Sequence, residues 1–183
     1  MNVNFEHTDA GAVTPIYFEQ VFAEKPGGGL VANPQSDILP TTAVYKGSDG
    51  KYLPIKGYRL VEAVAAEDTS IKIAKGSGVA NGDIIATGKK GVACSAVDTS
   101  NPDYDVVTVT LGIAVAKDKV LYQAESASAN SASPKKPEYI TGKTVFANKG
   151  DQLVRLVNGA NIRRETANIA DEVAALLPLI TLV

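Results

Sequence analysis

The chain holds one histidine, His7, and one cysteine, Cys94, so His- or Cys-based chemistry has only these two side chains to build on. A catalytic triad or a multi-His metal site would need His7, which reads as a solvated side chain near the start of the chain. Cys94 lies in Gly91-Val92-Ala93-Cys94-Ser95-Ala96-Val97, among small apolar neighbours. A reactive thiolate needs a basic partner, so this setting reads as a small core residue. Gly76-Ser77-Gly78-Val79-Ala80-Asn81-Gly82 has the glycine density of a phosphate loop. It lacks Gly-Lys-Ser/Thr, its last glycine comes one place late for the dinucleotide fingerprint, and no helical pattern follows. It reads as a tight turn between two strands. Asp98-Thr99-Ser100-Asn101-Pro102-Asp103-Tyr104-Asp105 collects carboxylates and an amide, oxygen donors of the kind calcium takes. Asp103 stands where an EF-hand requires glycine and Val109 where it requires glutamate. The loop reads as a solvated turn, with calcium as the alternative. The expectation is a protein without catalytic residues, metal or cofactor, and not an enzyme.

The elements around these residues are mostly strands. The chain has 183 residues, with 16 Gly and 9 Pro spread along it, as short strands and many turns require. One domain of this length can bury a core without disulfides, and a lone cysteine suits a reducing compartment. A net charge of −2 gives no electrostatic pull towards nucleic acid or an anionic membrane, and neither is expected as a partner. No basic and apolar leader opens the chain, and no stretch reaches the roughly 20 apolar residues of a span.

The fold class expected is mainly β: a compact barrel- or sandwich-like domain with an N-terminal extended arm and one C-terminal helix. Residues 37–160 make the β domain. Ser70 to Lys75 puts Ile71 and Ile73 on one face. Tyr52 to Val64 is one long strand or two, with Gly57 at a bend. Asp105 to Ala116 shows the clearest alternation, with Val107, Val109, Leu111, Ile113 and Val115 on one face. Residues 125–137, rich in Ser and Ala, read as a flexible exposed loop. Residues 161–183 read as a helix over about 163–177, ended by Pro178, and an apolar tail. Ile162, Ile169, Val173 and Leu176 recur at helical spacing.

Residues 1–36 differ from the rest. Ile16, Tyr17, Phe18, Val21 and Phe22 form an apolar-aromatic stretch ahead of Pro26-Gly27-Gly28-Gly29. The glycine run reads as a joint, and the stretch as an arm that contacts a partner or extends a partner's sheet edge. The other reading is a first strand followed by a glycine-rich loop.

Three blocks carry a resemblance: Leu39-Pro40-Thr41-Thr42-Ala43-Val44, Ser70-Ile71-Lys72-Ile73-Ala74-Lys75-Gly76-Ser77-Gly78, and Asn81-Gly82-Asp83-Ile84-Ile85-Ala86-Thr87. Thr144-Val145-Phe146-Ala147 and Asn161-Ile162-Arg163-Arg164-Glu165 extend it. Over residues 38–165 the chain resembles the head-decoration and head-fibre proteins of tailed phages, especially phages of Bacteroides-like hosts. The resemblance implies a structural virion protein on the outer capsid surface, assembled in the host cytoplasm. Its partners would be the major capsid protein and further copies of itself, most simply as a homotrimer. It implies no cofactor and no catalytic residue. The absence of a shaft repeat favours decoration over a complete fibre. The alternative is a β module that binds a small ligand or a carbohydrate.

Overall fold

The computed structural model describes residues 15–183. The first strands are β1 (Phe18–Glu24), β2 (Gly29–Val31), β3 (Ala43–Lys46) and β4 (Tyr52–Ile55). Then come β5 (Gly57–Arg59), β6 (Ser70–Ala74), β7 (Ile84–Thr87), β8 (Lys90–Ala93), β9 (Ala96–Asp98), β10 (Tyr104–Thr108) and β11 (Val120–Gln123). The chain ends with β12 (Tyr139–Thr141), β13 (Gln152–Val154), β14 (Leu156–Ile162), the helical turn α1 (Asp171–Ala174) and β15 (Ile180–Leu182). The protein is mainly β, as its punctuation by turn residues implies.

The first four and last four strands build one sheet, in the order β1-β14-β12-β3-β4-β2-β13, with β15 added to β14. Only Arg155 separates β13 from β14, yet these two lie far apart in that order. One extended stretch, 152–162, therefore serves both ends of the sheet, and the sheet curls until it meets itself. Around Arg155 both edges of the stretch are bonded: Lys25 N–H donates to Leu156 O at 2.9 Å, and Gly142 N–H to Arg155 O at 2.9 Å. Inside the curl lie Val31, Val44, Tyr52, Val154 and Leu156, with Ile38 and Val145. The outer face carries Ala43, Ile55, Ile140, Val157 and Ile162, buried beneath Val120, Tyr122 and the C-terminal segment. Both faces being covered, consecutive residues such as Ala43-Val44 and Leu156-Val157 are buried together, and the sequence loses its alternation there.

Strands β5 to β11 form an insert between β4 and β12, made of the sheets β5-β11-β7-β8 and β6-β10-β9. The chain leaves one lobe for the other at Lys56, which separates β4 from β5; Gly57, where the bend was expected, is already the first residue of β5, paired with Tyr122. Tyr58, Leu60, Ile71, Ile73, Ile85, Val107 and Leu121 fill the insert's own core. Val107, Val109, Leu111 and Val115 are buried as their spacing implies, but the strand ends at Thr108. Gly112, at φ +65°, turns the chain, and Ile113 loses the period and is partly exposed.

Four expectations are corrected. The arm is, over Phe18–Glu24, a strand of the chain's own sheet: residues 18–31 run antiparallel to 152–162 from Phe18↔Ile162 to Val31↔Gln152. The glycine run is the bulge in that pairing rather than a joint. Gly27 and Gly28 have φ of +74° and +71°, and a Cβ on Gly28 would stand 2.5 Å from Val154 O. Second, the boundaries at 37 and 160 cut through this sheet, which needs β1, β2 and β15. Third, the helix expected over 163–177 shrinks to Asp171–Ala174. The bond from Asn168 N–H to Arg164 O that a helix requires is broken at both ends. Asn168 N–H donates to Thr41 Oγ1 at 2.8 Å, and Arg164 O accepts from Arg59 at 2.9 Å. The apolar tail becomes β15, parallel to β14, with Ile180 buried. Fourth, the loop 125–137 is pinned although largely exposed. Ser128 pairs with Gly91 in both directions, at 2.8 and 3.0 Å, and buried Ala132 lies against the Gly91 backbone. Small side chains let this segment lie flat on the insert.

Gly28→Ala should destabilise the protein more than Gly27→Ala in denaturant melts. Both place a Cβ in left-handed backbone, at about 1–2 kcal/mol, but only Gly28 also meets a carbonyl; open space surrounds Gly27. Equal losses would contradict the close approach to Val154.

Candidate functional site

A cleft of about 470 Å³, open to solvent, lies where the two lobes meet. One wall is the loop 34–39 of the barrel lobe, and the other the loop 76–80 of the insert, with Thr42, Pro54, Lys56 and Asn168 between them. The walls approach closely: a Cβ on Gly78, at φ +64°, would collide with the Ser36 hydroxyl.

Hydroxyls anchor the barrel wall. Leu39 O accepts from Thr42 Oγ1 and Thr141 Oγ1, each at 2.8 Å. Pro40 O accepts from the Asn168 side-chain amide at 2.9 Å and from Thr41 Oγ1 at 2.5 Å. Thr41 and Thr141 are fully buried, so these bonds satisfy groups that no water reaches. Thr41 has φ +66°, strained backbone for a β-branched residue. Its N–H donates to Thr141 O at 2.8 Å, and together with the Asn168 bond this holds it there.

Asp83 anchors the insert wall. Its Oδ2 accepts from Lys56 Nζ at 2.8 Å, Tyr58 OH at 2.9 Å and Ala80 N–H at 2.9 Å, while Oδ1 accepts from Gln123 Nε2 at 3.1 Å. One carboxylate thus ties together the crossover at Lys56, β5, β11 and the loop above β7. Burial, and then the Asp83 carboxylate, push the Tyr58 phenol far above the ordinary tyrosine range. Cys94 is buried, with Sγ 3.0 Å from Ala80 O, behind the same wall.

The five residues expected to contact a partner are divided. Phe18 and Val21 pack inward against the outer core. Ile16 and Phe22 are exposed, at 55% and 54%, and the Phe22 ring lies over Gly159. Tyr17 is half-buried, and its carbonyl accepts from Arg163 N–H at 3.0 Å. The carboxylates of 98–105 do not converge. Asp105 is buried against Lys75 Nζ at 2.5 Å, and Asp98 accepts from Ser100 N–H at 2.9 Å. Among the described residues, no three His, Cys, Asp or Glu side chains are grouped as metal ligands. No helix described is long and apolar enough to cross a membrane. His7 lies outside the described residues.

The turn 76–82 does join two strands, as its residues indicate, but its part in a cleft was not legible. The signal was present in two short blocks with little strand character, Leu39-Pro40-Thr41-Thr42 and Gly76-Ser77-Gly78, which the fold brings face to face. Comparison with family models, curated proteins and solved structures gives no match.

Tyr58→Phe should cost about 1.5–3 kcal/mol at pH 8, by removing a bond to a charged acceptor. It should also flatten the alkaline loss of stability. The folded phenol is held above its unfolded value, so its contribution is complete below about pH 10 and is lost as pH rises beyond it. Denaturant melts at pH 8 and 10.5 check this; equal alkaline slopes in both proteins would refute it.

Proposed function

We propose that the protein is a structural virion component that docks on the outer surface of a tailed-phage capsid, as a head-decoration or head-fibre-base protein. The major capsid protein and further copies of the chain, as a homotrimer, would be its partners. The observation that carries this reading is the pair Ile16 and Phe22, apolar side chains left more than half exposed, one just before β1 and the other on it. Exposed apolar side chains of this size, six residues apart in the chain, suit a protein contact. The short blocks that resemble decoration proteins add to it, because three of them meet at the lobe junction. The reading needs no catalytic step.

A second reading, a β module for a small ligand or carbohydrate, is favoured by the cleft, whose size falls in the usual range of ligand sites. Among the described residues no aromatic ring lines it, which disfavours carbohydrate stacking.

The test is co-sedimentation with undecorated capsids. Ile16→Ser with Phe22→Ser should leave the melting temperature within a few degrees and weaken binding by about tenfold or more, the loss of roughly 1.5–3 kcal/mol per buried side chain. Unchanged binding by the folded double variant would remove these residues from the contact. Failure of the unaltered protein to bind capsids would count against the whole reading.

A further inference from the structure

The dipeptide Asn-Gly occurs twice in the chain, at Asn81-Gly82 and at Asn158-Gly159. An asparagine side-chain amide is open to attack by the next backbone nitrogen, above all before glycine, which sets no Cβ beside that nitrogen. The fold puts the two copies in opposite settings. Asn81 and Gly82 are exposed, in the middle of a turn that Asp83 N–H closes by donating to Ala80 O at 3.1 Å. Gly82 has φ +88° and open space where a Cβ would stand. Its N–H donates to Cys94 O at 3.0 Å, and Cys94 N–H donates to Asp83 O at 2.9 Å. These bonds lie just beyond Ile84↔Ala93, the end pair of the β7–β8 ladder, and bonds at a ladder's end open locally without unfolding the rest. Asn158 and Gly159 lie inside β14, the first half-buried and the second buried. Gly159 is paired with Ala23, and a Cβ on it would stand 2.7 Å from both the Ala23 methyl and the Phe22 ring. That backbone is free to move only when β1 leaves β14.

We propose that Asn81 is a site of self-modification, converted to isoaspartate and aspartate in the folded protein, while β14 holds Asn158 unreactive. When the end of the ladder opens, the Gly82 nitrogen leaves Cys94 O, gives its proton to solvent and attacks Asn81 Cγ. The new C–N bond closes a succinimide ring, and the side-chain nitrogen departs as ammonia. Water then adds to one of the two ring carbonyls. Addition at the main-chain carbonyl leaves the backbone running through Cγ, which is isoaspartate; addition at Cγ leaves aspartate. Water is the only co-reactant. Either product sets a new carboxylate two residues from Asp83, the anchor of the insert wall. Isoaspartate also lengthens the turn by one backbone carbon. The bonds from Ala80 N–H to Asp83 Oδ2, at 2.9 Å, and from Asp83 N–H to Ala80 O both span that turn, so conversion loosens this wall of the cleft. The inference stands apart from the capsid-docking reading, because it uses neither Ile16 nor Phe22.

The test is peptide mapping by mass spectrometry after storage of the full chain at pH 8 and 37 °C, folded in buffer and, in parallel, unfolded in guanidinium chloride. In the folded chain Asn81 should convert roughly tenfold or more faster than Asn158, because its turn opens locally and β14 does not. In the unfolded chain the two should convert at similar rates. Isoaspartate should exceed aspartate at Asn81, the mark of the ring route, and hydrogen exchange at the Ala80 and Asp83 amides should be faster in the converted protein. Asn81→Gln, whose longer side chain would have to close a larger ring, should remove the conversion from this peptide. If that variant does not fold, the comparison of Asn81 with Asn158 in the unaltered chain still decides. Equal rates at the two sites in the folded chain, or conversion of Asn81 only after unfolding, would overturn the proposal. Aspartate without isoaspartate would overturn the ring route. Capsid co-sedimentation is read separately, so either idea can fail alone.

Discussion

The structure depends on one stretch of chain being bonded along both of its edges. Residues 152–162 pair with the first strands on one side and with β12 and β15 on the other. Because the same stretch forms one end of the sheet, as β13, and lies next to the other, as β14, the sheet cannot stay flat. The curl creates an inside for Tyr52 and Leu156 and an outside for Val157 and Ile162. The outside must then be covered, and the insert and the C-terminal segment cover it. The N-terminal strands and the last strand are thus parts of one construction with this stretch, although they come from opposite ends of the chain.

The second constraint is the joint between lobes. The outer core runs across it, with Ala86, Val120 and Tyr122 of the insert packed among Ala43, Ile140 and Val157 of the barrel. At the rim, apolar contact gives way to polar groups that need partners. Buried threonine hydroxyls hold the loop around Leu39 and Pro40, and Asp83 holds the loop above β7. Arg59 adds a third tie, donating to Asp118 O, Arg164 O and Ala167 O at 3.0, 2.9 and 2.5 Å. Its bonds carry the insert onto the segment before α1. They also explain why that segment is not helical, since they consume a carbonyl that a helix would use.

How much was legible follows from the range of the interactions. Ile71 and Ile73 lie on a strand with one covered face, and alternation alone placed them. Ala43-Val44 and Leu156-Val157 are covered on both faces, and no period remained to mark which way they point. Of the four residues at helical spacing, Ile162, Ile169 and Val173 are buried but Leu176 is exposed, and spacing could not reveal that Thr41 and Arg59 would take the backbone of Asn168 and Arg164. Gly27 and Gly28 advertised freedom, whereas the fold uses both for left-handed backbone and Gly28 for a close approach to Val154 as well. The cleft was least legible, because its two walls come from loops that the sequence separates and only the curl of the barrel brings together.

The outer edge of β1 limits how the protein can meet a partner. Its pairing with β14 slips between Phe18 and Gln20 and again between Val21 and Ala23, so Glu19 and Phe22 are extra residues bulged against one partner each. Bulges of this kind twist an edge strand and spoil the even row of N–H and C=O groups that an added strand would require. Glu19 and Glu24 are moreover tied back to Arg163 and Arg155 of the stretch behind them. Extension of a partner's sheet, which the alternation of residues 16–22 suggested, therefore fits this edge poorly. A bulge has a different use: it turns a side chain out of the plane of the sheet. Phe22 stands out in this way, its ring lying with the Ala23 methyl over Gly159, where a Cβ would collide with both. The capsid contact proposed above would then run through the protruding ring and Ile16, with β1 supporting the ring from beneath.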